Sequence, residues 1–260
     1  MNPVDKTKAM QARAEAKIAN NVVQLPLWQD FQRAAPACVL RSALFGVVKR
    51  GRRGYLKDQI LASWGSDHIA FRGERLDQAD LDVWLEMLHI SRETPLGETV
   101  EFEKYPMLKQ LGRATGRTNW KWLESSIKRM IACCIEIKTG SKRYLGSLIE
   151  EGYIDDTTGR YVVILNRKMV DLFNAGFTLQ HAEKRKLLNS DLSKWLAGYV
   201  ESHKSPHKVG VKTLHELCAS ETKQFRNFRS DLRKAADAVQ EQGIIKSWLI
   251  TDNDVFQFVK

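Results

Sequence analysis

The chain has 260 residues, ordinary apolar content (43%) and 41 Lys and Arg against 31 Asp and Glu, a formal net charge of +10. That length carries two small cores or one large one, and the surplus positive charge calls for a polyanionic partner, nucleic acid first. No stretch approaches the roughly 18 apolar residues of a membrane span, and the N-terminus lacks the apolar heart of a signal peptide. Cys38, Cys133, Cys134 and Cys218 show no C-x-x-C spacing; they read as reduced thiols of a cytoplasmic protein rather than as a zinc corner.

In chain order, Met1 to Asn20 is rich in Ala, Lys and Glu with almost no large apolar side chain. It has helix propensity but nothing to pack with, so residues 1–32 are expected to be a mobile arm. An apolar run, Leu40 to Val48, and a basic knot of Lys49, Arg50, Arg52 and Arg53 open the compact part. In Asp77 to Leu88, apolar Leu81, Trp84, Leu85 and Leu88 fall at helical spacing behind Asp77 as N-cap. Glu103 to Leu111 is a shorter helix ended by Gly112, and a third runs from about Thr118 to Cys134. Strands are expected at Ile135 to Thr139, Lys142 to Ile149 and Tyr161 to Leu165, separated by turns at Thr139-Gly140-Ser141 and Asp155 to Gly159. Two helices, a recognition-type helix and a hairpin make a first winged helix over 33–176.

Residues 177–260 repeat the plan more briefly. A helix Leu187 to Glu201 precedes a Ser/Pro/His loop, a short helix Val211 to Cys218 and a long helix Lys223 to Gln242. A hairpin follows: Ile244 to Ile250, a turn at Asp252-Asn253-Asp254, and Val255 to Val259. The expected fold class is α+β, mainly helical, with two tandem winged-helix domains bearing short β-hairpin wings.

The two long helices superpose without gaps, at a fixed shift, so that Trp120, Leu123, Ile127, Met130, Ile131 and Cys134 fall on Phe225, Phe228, Leu232, Ala235, Ala236 and Val239. At about 100° per residue these form one apolar stripe. On the other face Lys121 falls on Arg226, Ser125 on Ser230, Lys128 on Arg233 and Arg129 on Lys234. A short Leu-x-x-Leu helix precedes each, Leu108 to Leu111 and Leu214 to Leu217. That is helix-turn-helix spacing twice over, in which the second helix enters the DNA major groove.

One amphipathic helix with a charged outer face is merely solvated; two copies, each with a short helix before and a hairpin after, favour duplex DNA. The DNA-binding candidates are Arg117, Asn119, Lys121 and Lys128 in the first copy, Lys223, Arg226, Arg229 and Arg233 in the second, and Lys142 and Arg143 as wing residues. Some six phosphate contacts would weaken binding by about three decades between roughly 50 and 200 mM salt.

Five segments resemble the TrfA-type plasmid replication initiators: Leu40 to Gly46 (LRSALFG), Leu76 to Trp84 (LDQADLDVW), Arg92 to Gly97 (RETPLG), Trp122 to Ile127 (WLESSI) and Thr158 to Val162 (TGRYV). The resemblance covers essentially the whole chain after the arm. It implies two winged-helix domains that bind iterons in a plasmid origin as monomers, help open an adjacent AT-rich segment and recruit the host initiator and helicase. It also implies an inactive homodimer that limits copy number. The arm is short beside that of some initiators of the type, which puts its part in helicase recruitment in question.

Gln24, Leu25, Leu27 and Trp28, around Pro26, resemble the bacterial sliding-clamp motif Gln-Leu-Ser/Asp-Leu-Phe, an extended peptide held by its Leu and aromatic anchors. Pro26 and Trp28 depart from that pattern. Two readings stand: a clamp ligand, or anchors that dock the arm on the chain's own surface.

Catalytic chemistry is missing. Gly112 and Gly116 lack the Lys and spacing of a phosphate loop, and His203 and His207 flank Pro206 in a loop with no second ligand pair. No His-apolar-His triplet of a nicking initiator occurs. The expectation is a protein that is not an enzyme and has no cofactor and no metal. A winged-helix transcriptional repressor is the rival reading, and origin opening separates the two.

Overall fold

The structure, a computed structural model, describes residues 24–260 except 50, 52 and 141. Of residues 1–32, expected above to be a mobile arm, 1–23 lie outside the described residues, as do Arg50 and Arg52 of the basic knot, whereas Leu25 and Trp28 of the described part are buried.

The described chain opens with β1 (Gln32–Pro36), a one-turn helix α1 (Ala37–Leu40) and β2 (Phe45–Gly46). A hairpin, β3 (Tyr55–Leu61) and β4 (His68–Glu74), then leads through β5 (Leu76–Asp77) into α2 (Gln78–Ser91). The α2 helix starts where its sequence requires. The Asp77 carboxylate accepts from the amides of Ala79 and Asp80 while Asp80 accepts from the Asp77 amide, a reciprocal cap. Trp84, Leu85, Met87 and Leu88 are all buried, so α2 is a central helix of the first core.

Next come β6 (Thr99–Glu103), α3 (Lys104–Gln110), α4 (Arg117–Ala132), β7 (Cys134–Thr139), β8 (Lys142–Gly146), β9 (Ile149–Asp155) and β10 (Arg160–Leu165). A short 3-10 turn at Arg167–Met169, α5 (Val170–Ala175), β11 (Phe177–His181) and α6 (Ala182–Lys186) connect to α7 (Asp191–Ser202). The chain ends with β12 (Val209–Gly210), α8 (Val211–Leu217), α9 (Phe225–Glu241) and the hairpin β13 (Ser247–Ile250) and β14 (Val255–Val259).

One order therefore occurs twice: short strand, short helix, long helix, hairpin. Both copies close the same three-stranded antiparallel sheet with the second hairpin strand in the middle, β6-β10-β9 and β12-β14-β13. In the first copy the hairpin β7–β8 is inserted between the long helix and β9. It pairs through β7 with β4, giving the four-stranded sheet β3-β4-β7-β8.

That sheet makes the chain richer in strand than the mainly helical expectation. Most of β3 is exposed, with no alternation to mark it as a strand. The single strand expected from Lys142 to Ile149 is two. Gly146, opposite Ile135, is the last paired residue of β8, and the Tyr144 hydroxyl donates to the Ser147 carbonyl at 2.5 Å in the turn before Ile149 begins β9.

Apolar side chains gather in two clusters, one from Leu25 to Phe173 and one from Leu188 to Phe258. Polar groups join them. The Val47 amide donates to the Cys218 carbonyl at 2.7 Å, the Trp195 indole donates to the Ser42 carbonyl at 3.1 Å, and Arg75 holds both Glu221 and the Ala219 carbonyl. A Cβ on Gly46 would stand 3.1 Å from the Cys218 carbonyl oxygen, so the second unit passes close where the first has no side chain.

Trp64, in the β3–β4 loop, enters the joint against Tyr199, His203 and His207. His203 donates from Nδ1 to the Tyr199 carbonyl at 2.7 Å, and His207 Nε2 hydrogen-bonds the Tyr199 hydroxyl at 2.8 Å. Burial, with Arg41, His207 and Lys260 nearby, lowers His203 to about 4 despite that carbonyl, and burial depresses His207 as well. A histidine neutral in the fold but protonated in the unfolded chain favours unfolding as pH falls. The His203 contribution is therefore complete above about 6.5 and is lost between about 6.5 and 4. Urea midpoints measured across that window should fall less steeply in His203→Gln than in the wild type; equal slopes would show that His203 is not the group responsible.

Candidate nucleic-acid interface

The long helix of the first copy, α4, turns Leu123, Ser126, Ile127 and Met130 inward and leaves Arg117, Lys121, Ser125 and Lys128 exposed. The long helix of the second, α9, buries Phe228, Leu232, Ala235, Ala236 and Val239 and exposes Arg226, Ser230, Arg233 and Lys234. Lys121, Lys128, Arg226 and Arg233 thus all face outward, although Lys121 is the fifth residue of α4 and Arg226 the second of α9, so the shift read from sequence does not pair them at equivalent points of the fold. Lys223 is exposed in the turn before α9.

Other candidates are already engaged. Lys128 is paired with Glu124 at 2.5 Å on its own helix. Asn119 Nδ2 donates to the Ala114 carbonyl at 2.8 Å, so this side chain holds the turn before α4. Arg229 is half-buried in an ion pair with Asp254 in the β13–β14 turn, fastening α9 to its hairpin.

Three expectations are corrected. Arg129 does not continue the outer basic stripe: its side chain is 11% exposed and grips Asp80 on α2, Nη2 to Oδ1 at 2.6 Å. Cys134 does not match buried Val239, because α4 stops at Ala132 and Cys134 is an exposed first residue of β7. Lys142 and Arg143 lie on the inserted β7–β8 hairpin, whereas the hairpin equivalent to β13–β14 is β9–β10. Arg143 there is exposed with Nε 3.3 Å from Glu136. The tip of β9–β10 is the Asp155 to Gly159 turn, where Asp155 accepts from the amides of Thr157 and Thr158 at 2.8 and 3.2 Å.

The short helix ends with one geometry in both copies, although the link to the long helix is one residue longer in the second. Arg113 donates its amide to the Leu108 carbonyl at 2.8 Å, and Ser220 does the same to His215 at 3.2 Å. Each closes a left-handed helix end of the Schellman type. The left-handed residue is Gly112 at φ 68° in the first copy and Ala219 at φ 46° in the second. Alanine rarely adopts that conformation. It is held here because the Arg75 guanidinium donates to the Ala219 carbonyl at 2.8 Å.

The segment resembling a clamp ligand is packed on the first core. Leu25 is 3% exposed, Trp28 is 7% exposed and stacked parallel on Phe173, and the Trp28 indole donates to His89 Nδ1 at 3.0 Å. Gln24, itself exposed, reaches the Arg92 carbonyl through Nε2 at 3.4 Å, and Leu27 faces outward at 71% exposure. Among the described residues no helix is long and apolar enough to cross a membrane, and no three His, Cys, Asp or Glu side chains gather as a metal site.

A family model described as TrfA protein matches residues 6–258. A curated relative, the plasmid replication initiator protein TrfA of Escherichia coli, is 24% identical over 235 residues. The match takes in 87% of this chain but 61% of that relative's length. Among solved structures, domains 2 and 3 of RctB superpose with a TM-score of 0.57 at 13% identity, covering 86% of this chain and 97% of that one. The Pi initiator protein in complex with iteron DNA superposes with a TM-score of 0.51 at 13% identity, covering 70% of this chain and 93% of that one.

Proposed function

Because this chain belongs to the TrfA family, we propose that it initiates plasmid replication in the cytoplasm by binding repeated origin sequences in duplex DNA, without catalysis of its own. The two strand–helix–helix–hairpin units act as tandem winged-helix modules, with α4 and α9 in the major groove and the hairpins β9–β10 and β13–β14 as wings. The observation that carries this reading is an outward cationic face on the long helix of each copy, Lys121 and Lys128 on α4 and Arg226 and Arg233 on α9, behind short helices that end in the same left-handed turn. The initiator named as a relative and the Pi protein bound to iteron DNA support it.

Bound at the origin, the protein would help open the adjacent duplex and recruit the host initiator, helicase and sliding clamp, with a homodimer as the form that limits copy number. Clamp binding through Gln24, Leu25, Leu27 and Trp28 would require Leu25 and Trp28 to leave the first core. A transcriptional repressor could use the same DNA-binding face, and strand opening distinguishes the two. Permanganate reactivity of an AT-rich segment beside the footprint, on addition of the protein, is the result expected of an initiator. Protection without opening is the result expected of a repressor.

Arg226→Ala and Arg233→Ala should each weaken binding to the plasmid's own origin by about 1–3 kcal/mol if they read bases, or weaken all duplexes alike if they touch phosphate. Unchanged affinity in the double variant would remove α9 from the interface.

A further inference from the structure

A cavity of about 150 Å³ opens where α3, α4 and the β9–β10 turn meet. Lys104, Arg117 and Lys121 line it, and so do the carboxylates of Glu124 and Asp156. Glu124 already holds Lys128 at 2.5 Å, so three cations stand against one carboxylate without that engagement.

The Lys104 ammonium is held in place by its neighbours. It lies 4.2 Å from the centre of the Trp120 ring, a cation–π contact, and Tyr105 stands edge-on to the same ring. On its other side the chain passes close because residue 159 is glycine. A Cβ there would be 2.9 Å from Lys104 Cε, and φ at Gly159 is 72°. Trp120 also lines the cavity, and its indole N–H is buried without an acceptor among the described residues.

We propose that Lys104, Arg117 and Lys121, with the indole N–H of Trp120, form a seat for one phosphate of the DNA backbone, fixing the start of α4 and its wing on the duplex. The inference rests on the DNA-binding reading above and adds Lys104 and Trp120 to the interface. A phosphate suits the seat because ammonium groups serve as point charges for phosphate, Arg117 supplies a planar fork, and the indole supplies a further donor. A base edge would ask for paired donors and acceptors, whereas the groups offered here are almost all donors.

The test compares wild type, Lys104→Met and Gly159→Ala on two duplexes of equal length, one from the plasmid's own origin and one of scrambled sequence. Lys104→Met should weaken both duplexes by the same factor and reduce the slope of log affinity against log salt by about 1. Gly159→Ala, which displaces Lys104 without removing its charge, should weaken binding too, and the double variant should be no weaker than Lys104→Met alone. The Lys104→Met melting temperature reports that its fold is intact.

A wild type that fails to bind either duplex would sink the function reading itself. Binding by the wild type with an unchanged salt slope in Lys104→Met would overturn the seat alone. Titration with inorganic phosphate covers the other source of the same chemistry: saturable binding that Lys104→Met abolishes would assign the seat to a free phosphate compound and overturn the backbone assignment.

Discussion

Asp80→Asn is expected to destabilise the fold by about 3–5 kcal/mol, the cost of removing one partner from a buried ion pair and leaving the other uncompensated. Asp80 is fully buried and serves three elements at once. Its carboxylate accepts from Ser126 Oγ at 2.6 Å and Arg129 Nη2 at 2.6 Å on α4, and from Arg53 Nη1 at 2.9 Å in the segment before β3. It also caps its own helix through the Asp77 amide at 3.1 Å. The introduced carboxamide could replace one or two of these contacts but would leave Arg129, 11% exposed, without its counter-charge and Arg53 with Asp77 as its remaining carboxylate.

At roughly 2–4 °C per kcal/mol for a chain of this size, the melting temperature should fall on the order of 10 °C. A second readout is local. Burial and the charge of Asp80 raise the Asp77 carboxyl to about 6 against the pull of Arg53. With a neutral side chain at that position, Asp77 should titrate lower, which carboxyl-resolved NMR would follow. A variant that melts within about 1 °C of wild type would mean that the cluster does not anchor α4 on α2.

Arg185→Met is the second large effect, again about 3–5 kcal/mol. Arg185, on α6 between the two cores, donates to Asp82 at 2.7 Å and to the Gln78 side chain at 2.9 Å on α2, and to the Lys194 carbonyl at 3.1 Å on α7. Lys194 Nζ completes the group on the other Asp82 oxygen at 2.5 Å. Burial opposes ionisation of Asp82, but Arg185 and Lys194 outweigh it and hold the carboxyl below its usual range.

A depressed carboxyl contributes stability that is present above the ordinary Asp range and is lost as pH falls toward the folded value. Without Arg185 that depression shrinks, so the stability difference between about pH 6 and about pH 3 should be smaller in Arg185→Met than in wild type. Equal differences from urea midpoints at the two pH values would show that Arg185 does not govern Asp82.

The readable parts of this fold were those written in short-range pattern. Asp77 followed by Leu81, Trp84 and Leu85 announces a capped amphipathic helix, and the apolar spacing of Leu123, Ile127 and Met130 and of Phe228, Leu232 and Ala235 announces the buried faces of α4 and α9. What escaped was set by distant partners. Arg129 lies beside the buried stripe, and periodicity cannot tell whether so long a side chain turns out to water or in toward Asp80, 49 positions away. The wing was assigned to the nearer hairpin because the pairing of β7 with β4 is invisible locally. Ala219 carries no turn signal, as Gly112 does, since its conformation is imposed from Arg75. Lys104 begins a short helix, and only the fold brings Trp120 and Gly159 to either side of it.

The pairing of β1 with β11, in which Gln32 meets His181 and Pro36 meets Phe177, has a consequence for synthesis. A ribosome making this protein releases β1 early and must translate nearly all of the first core before β11 emerges. Until then the first strand has an open edge, and Asp82 waits for Arg185 from the same late stretch. Distant pairings of this kind close slowly and leave incomplete edges prone to wrong partners. A nascent chain cut short before residue 177 would therefore lack both the strand that pairs with β1 and the guanidinium that holds Asp82 and Gln78 on α2.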